Sequence, residues 1–553
     1  MAATYVVQLT DPDPWWHLAT GRWIVEHHAI PRVDPFSFTV AGAPWHAVDW
    51  LADLAMYGAW ALGGAGGLGA LTALAAFVML VFVGLTLREL EVSTPAMAGV
   101  VACVGIMVQG RYSMARPMTL GAAALCATIY VCTRSWARAA ARAGGSRPGA
   151  TSDRSVLIAA PLVLVWSALH PSAILGIVVI AIFALAAVAT RHAATRLFVG
   201  ATLLALALAA VVPSARALFD VAAAHDRASL ALALTTEWAR TRLADREFWL
   251  PALGTLAAVA VLFVSPDRRR ALPFVGCAAV GAVLASRYTR NLYEAILLAA
   301  PIVGLALERA QRRLAARRLP AAPLLVAVTV GVLVPLLHLR LAPAEFSTRF
   351  GVGPAPDAVP RQTLDLLRRL PSGHVMNDCT LGGWLIWQRI PVYCDGRAVA
   401  LYTQTDVERL FLPLYADVAT IDAVADRFDI HYALSRFDST FQDTLMRSSS
   451  WVPLASDREH ALFVRRRFVA ELPRDVLPLE ELRFANDAPW LDAWYAAVAA
   501  DPARTARLEA EVLRAVATAD DSRTLHAALH YLAGAQPALT ERLKRALATS
   551  YGR

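Results

Sequence analysis

Ten apolar segments dominate the first 340 residues of this 553-residue chain, at about 68–87, 95–110, 118–133, 156–169, 174–189, 197–212, 249–264, 271–286, 292–307 and 323–338. No single soluble core absorbs so many. A bilayer does, because a helix satisfies its own backbone hydrogen bonds where no water is present. Several segments fall short of the roughly 20 residues a span requires, so they must take in flanking residues. Charged residues make up only 17% of the chain, against roughly 25% in soluble domains. The pattern predicts a polytopic α-helical membrane bundle of about ten transmembrane helices.

The loops predict its orientation. Loop 134–154 carries Arg134, Arg138, Arg142, Arg147 and Arg154 against Asp153, and loop 308–322 carries five arginines against Glu308. "SPDRRR" at 265–270 and the pair Arg191 and Arg196 fall on the same side if the segments alternate. Loop 88–94 is the inner loop without this bias. The positive-inside rule makes that side cytoplasmic. Residues 1–67, 111–117, 170–173, 213–248 and 287–291, and everything after 339, are then extracytoplasmic. The net charge of +8 is accounted for by these loops and does not indicate a nucleic-acid partner. All basic residues but Lys544 are arginine, which fits codon bias in a GC-rich genome. No secretory signal peptide is visible.

Four regions follow. Residues 1–67 form a catalytic-type outer loop. It ends in a helix at 48–62, "VDWLADLAMYGAWAL", expected at the membrane interface with Asp49 and Asp53 one turn apart. "GGAGG" at 63–67 breaks that helix. Residues 68–340 are the transmembrane bundle. Residues 341–485 read as an extracytoplasmic α/β domain: strands at "HVMND", "PVYCDGR", "IHYALSR" and "ALFVRR" alternate with helices, which indicates a small parallel sheet. Residues 486–553 are a short helical tail, with "DPARTARLEAEVLRAVATA" and "DSRTLHAALHYLAGA" as a candidate hairpin.

The outer face carries unusual residues. "DPDPWWHLATGRWIVEHHAIPRVDPFSFT" at 11–39 sets Asp11 and Asp13 beside Trp15, Trp16 and His17. A carboxylate can serve as a general base or hold a divalent cation through its oxygens. Two carboxylates two residues apart could divide base and cation-holding tasks; they could equally form a solvated turn. The tryptophans could stack on sugar rings or anchor the interface. Arg111, Arg116, Arg287 and Arg290 lie on the side where basic residues are depleted, and as a set they suit a lipid-linked phosphate. Singly, each could snorkel to headgroups. His170 ends a span before Pro171 and either lines a cavity or caps a helix. Glu237, in the longest outer loop, could reach an acceptor or tie the loop down. Gly382, Gly383, Asp395, Gly396 and Arg397 fall at expected strand ends, where parallel sheets bind ligands. Cys379 and Cys394 would lie at one sheet end, within the disulfide Cα range of about 4.4–6.8 Å; they form a bridge or remain two buried thiols.

"DPDPWWHLATGRWI", "IPRVDPFSFT", "WSALHPSAILG" at 166–176, "TTEW" at 235–238 and "GGWLIW...PVYCDGR" at 382–397 together resemble a large group of bacterial GT-C glycosyltransferases, over roughly residues 11–465. The resemblance implies a multi-pass enzyme of the bacterial cytoplasmic membrane that uses polyprenyl-phosphate sugars. It implies that Asp11 and Asp13 are the catalytic or metal-binding pair, with magnesium or manganese as the cation. Membrane lipid, a polyprenyl-phosphate-linked sugar and an unidentified acceptor are the expected partners. Trp15, Trp16, His17, Arg111, Arg116, His170, Glu237, Arg287 and Arg290 are the expected substrate-binding set. Such enzymes usually carry a helix before the Asp motif, whereas ten residues precede it here. Either a helix lies upstream or the loop crosses with an external N-terminus. Two other classes remain alongside: a lipid or glycan transporter, and a non-catalytic envelope-assembly scaffold.

Overall fold

The structure is a computed structural model. It describes residues 5–143, 154–212, 215–217, 219, 240–242, 246–263, 268–316, 351–355, 358–437, 439–457, 459–518, 538, 540–542 and 544–545. They divide into two compact units. The first is Met1–Leu9, His17–Ile30 and His46–Gly353; the second is Thr10–Trp16, Pro31–Trp45 and Pro354–Arg553.

The first unit is helical. After α1 (Asp13–His27), which begins in the second unit's share of the chain, come α2 (Trp50–Glu89), α3 (Thr94–Tyr112), α4 (Pro117–Ala143), α5 (Ala159–Ser167), α6 (Ile174–Thr190), α7 (Thr195–Val211), α8 (Arg246–Phe263), α9 (Arg268–Arg287) and α10 (Leu292–Ala316). Nine expected apolar segments coincide with helices α2 to α10; the tenth, 323–338, lies outside the described residues. The glycine run does break α2. Gly63 (φ −151°, ψ 21°) and Gly64 (φ 55°, ψ −141°) leave helical geometry, and the second of these conformations is open to glycine alone. Small residues let helices approach closely: a Cβ on Gly281 of α9 would stand 2.9 Å from the Ala295 Cα of α10.

Among the described residues, Trp50–Glu89, Pro171–Thr190, Arg269–Arg287 and Thr289–Arg313 are long and apolar enough to cross a membrane. Large apolar side chains on these and neighbouring helices face outward, including Leu185, Val188, Leu203, Val211, Leu253, Leu256 and Val283. In water such surface is unfavourable and rarely contiguous; in lipid it is the expected exterior.

The second unit contains β1 (His374–Asn377), α11 (Gly382–Trp387), α12 (Val418–Arg427), β2 (Ile430–Arg436), α13 (Thr440–Arg447), β3 (Trp451–Ser456), β4 (His460–Arg465), α14 (Ala488–Ala499) and α15 (Pro502–Thr518). The sheet order is β1-β2-β4-β3. β1 and β2 are parallel, with Val375 opposite Tyr432. β4 runs antiparallel to both β2 and β3. The sheet is therefore mixed, which corrects the expected parallel one. Two errors produced that expectation. "PVYCDGR" is not a strand of this sheet; its Val392 makes a single parallel bridge to Ser37. β3 was not anticipated because it contains Pro453, which removes a ladder donor. An edge strand tolerates that loss, and the register shifts between Pro453 and Ala455. In the tail, α15 packs with α14, upstream of it, around Leu491, Tyr495, Leu508 and Val512. The hairpin partner expected at 521–535 lies outside the described residues.

Candidate functional site

In the second unit, four sequence-distant motifs meet. Asp11 Oδ1 accepts the backbone N–H of Asp13 at 3.2 Å, so "DPD" is an Asx turn leading into α1. The carboxylate of Asp13 stands in the first helical turn, where the helix dipole favours negative charge. Asp11 is buried and Asp13 partly buried. Trp15 is fully buried and meets Trp384 edge-on at 4.6 Å, and Trp16 is buried too. Both rings pack within the protein.

Glycines bring the turn against the C-terminal domain's loops. A Cβ on Gly383 would lie 2.5 Å from the Pro12 carbonyl oxygen, and one on Gly396 would lie 2.6 Å from Asp13 Oδ1. Gly382 faces the Cys394 carbonyl oxygen, which a Cβ there would approach to 2.3 Å. Asn377, at the end of β1, holds the same loop: its amide donates to the Cys394 carbonyl (2.8 Å) and its side-chain oxygen accepts from Tyr393 N–H (2.9 Å). Cys379 and Cys394 form a disulfide, with Cα atoms 4.9 Å apart.

Asp395 and Arg397 serve as a clamp. The Arg397 guanidinium donates to both oxygens of Asp395 (2.9 and 2.7 Å) and to Asp34 (2.6 Å). It lies over the rings of Phe36 and Trp45. Tyr402 completes Asp395's shell at 2.9 Å. Burial alone would favour losing the arginine proton, but the carboxylates of Asp395 and Asp34 push its pKa up. Asp34, which the sequence analysis left without a role, anchors "VDPFSFT" here, together with Phe38 stacked on His374.

In the first unit, His17 Nδ1 lies 2.6 Å from Asp53 Oδ1, and both side chains are buried. Gly21 permits this: a Cβ there would stand 2.2 Å from the Asp53 carbonyl oxygen, so α1 crosses α2 with backbone nearly touching. Asp53 Oδ2 and Asp49 Oδ1 are buried without a hydrogen-bond partner. Burial raises the Asp49 carboxyl to about 7. Asp49 and Asp53 were noted in the sequence only as helix-face residues, although two carboxylates one turn apart before a span were the available signal.

His170 caps the turn before α6. Its Nδ1 accepts the Ser172 N–H at 3.1 Å. Burial lowers its pKa to about 3, helped by the charges of Arg290, Arg111 and Arg116. Burial likewise lowers that of His17, with contributions from Arg116 and His170. Both shifts favour the neutral ring. Three of the four outer arginines thus act electrostatically on His170. Arg287, exposed at the end of α9, is not among the charges acting on it. Glu237 lies outside the described residues.

Among the described residues, no group of three or more His, Cys, Asp and Glu side chains is placed to hold a metal ion.

This arrangement belongs to a known class of fold. The chain shares its fold with the archaeal oligosaccharyltransferase AglB. It resembles the oligosaccharyltransferase AglB of Archaeoglobus fulgidus, solved with an inhibitory peptide and a dolichol-phosphate, at 10% identity and a TM-score of 0.56, covering 96% of this chain and 82% of that one. A second structure of the A. fulgidus enzyme, with Zn and sulfate, matches at 10% identity and 0.54, covering 97% and 81%. ArnT from Cupriavidus metallidurans bound to undecaprenyl phosphate matches at 13% identity and a TM-score of 0.49, covering 83% and 95%. No family model and no curated protein sequence matches the chain.

Proposed function

We propose that this protein is a membrane glycosyltransferase that moves a sugar from a polyprenyl-phosphate carrier to an acceptor on the outer face of the bacterial cytoplasmic membrane. What supports the reading is that Arg111, Arg116 and Arg290, at or beside the ends of apolar helices, all act electrostatically on His170. Cations collected there, with a neutral imidazole among them, suit a phosphate at headgroup depth. The full bundle would have ten spans, with the C-terminal domain extracytoplasmic.

Asp11 is the base that takes the acceptor hydroxyl proton, and Asp13 its partner. A divalent cation held by the pair would offset charge on the departing phosphate. The acceptor oxygen bonds to the anomeric carbon as that carbon's bond to the phosphate oxygen breaks, and the electron pair leaves with the phosphate. A transporter would instead place ionisable residues in mid-span; here His170, Arg116 and Arg290 lie at helix ends.

The test is transfer from radiolabelled polyprenyl-phosphate sugars by purified protein supplied with envelope acceptor fractions. Asp11→Asn and Asp13→Asn should each lower the rate by about 10²–10⁴, the usual worth of a positioned base. Wild-type protein that transfers no sugar from any donor, or Asp→Asn variants as active as wild type, would refute the assignment.

A further inference from the structure

A cavity in the second unit lies away from the acidic turn, where α13, the segment after β4, the 480–483 loop and helices α14 and α15 meet. Its volume is about 480 Å³, and five arginines against two glutamates line it. Four of the arginines have carboxylate partners. Arg466 pairs with both oxygens of Glu480 (3.1 and 3.0 Å). Arg504 and Arg507 share Glu481 (2.8 and 2.9 Å). Arg447 pairs with Asp487. The nearby Glu511 carboxylate is taken by the backbone N–H groups of Glu480, Glu481 and Leu482.

Among the described residues no carboxylate is in hydrogen-bond contact with Arg483, although Glu480, Glu511 and Glu481 act on it electrostatically. Its residue is 4% exposed. Nη1 donates to the carbonyl oxygens of Leu479 (2.6 Å) and Leu482 (3.3 Å), and Nε is buried with no hydrogen-bond partner. Trp494 lies against the guanidinium at 5.0 Å, and Arg504 lies 4.9 Å from the same ring. A buried guanidinium without a counter-ion in contact is costly, and an oxyanion entering the cavity would complete it. Arg507 and Arg447, more exposed, stand on the same wall.

We propose that this cavity binds a small organic anion, a saccharide-sized molecule bearing a phosphate or carboxylate group, with Arg483 as the anchoring cation. The volume lies within the usual range for small-ligand sites, about 300–1,000 Å³. The site is separate from the transfer reaction and can be tested without donor or acceptor.

Isothermal titration of the full-length protein in non-ionic detergent, with glucose 6-phosphate and with glucuronate, should give saturable binding of at least one. Neutral glucose should give none. Arg483→Gln should weaken binding about tenfold or more, the scale of one charge-assisted hydrogen bond. Arg507→Gln, at an exposed position that leaves the core intact, should weaken it severalfold, whereas Arg427→Gln, outside the cavity, should not. The proposal is overturned if neither anion binds at tens of millimolar, or if both cavity variants that fold bind as well as wild type. Binding to phosphatidylglycerol micelles without binding to either soluble anion would assign a lipid headgroup and also overturn it.

Discussion

Asp13 and Gly396 form a contact in which one added methyl group separates chemistry from stability. A Cβ at residue 396 meets the far end of the Asp13 side chain, at 2.6 Å, whereas one at 383 meets the Pro12 backbone carbonyl, at 2.5 Å. A carboxylate can rotate away; a carbonyl oxygen within a turn cannot. Gly396→Ala should therefore keep a near wild-type melting temperature and lose transfer activity. Gly383→Ala should lower stability by about 1–3 kcal/mol, as overpacking does. Thermal melts in detergent paired with rate assays distinguish the two; equal activity in Gly396→Ala and wild type would remove Asp13 from the site. Asp49 supplies a pH signature. Its carboxyl is raised from 3.8 to about 7 by burial. Below about pH 4 it is protonated in both folded and unfolded states; above that the unfolded chain ionises first, so its stabilising contribution is lost between about pH 4 and 7. The melting temperature of Asp49→Asn should change less than that of wild type across this window. Identical profiles would show that Asp49 is solvated.

Helix α2 depends on its break. Gly64, at φ 55° and ψ −141°, holds a conformation that costs other residues on the order of 1–3 kcal/mol. Gly64→Ala should lower the melting temperature measurably, although a Cβ there meets nothing within 4 Å. An unchanged melt would mean that the helix continues through this point in solution. The break was legible in "GGAGG" because glycine's backbone freedom is a local property. The edge strand β3 was not, since whether Pro453 is tolerated depends on which strand lies at the sheet's edge, and that is settled by pairing with β4 far along the chain.

For the molecule as a whole, the arginine asymmetry of the loops predicts that residue 145 is cytoplasmic and residue 470 is outside. Reporter fusions at these two positions should report opposite compartments; agreement between them would overturn the orientation. Apolar period and length determined, without any tertiary information, that the first half is helical and suited to a bilayer. Nine of ten segments could be read that way because a membrane span is a local demand on about 20 consecutive residues. The same holds for the acidic turn and the outer arginines as candidate residues, since each is marked by its position relative to a span. What those residues do to one another was decided only by folding. Asp395 and Arg397 looked like ligand positions at a strand end but close on Asp34, more than 350 residues earlier, in a buried ion cluster. His17 finds Asp53 because Gly21 lets two helices touch. Arg483 becomes a candidate anion anchor because neighbouring arginines and backbone N–H groups engage the carboxylates beside it. Charge pairing and burial depend on distances between residues far apart in the chain, and no local pattern of residue types carries that information.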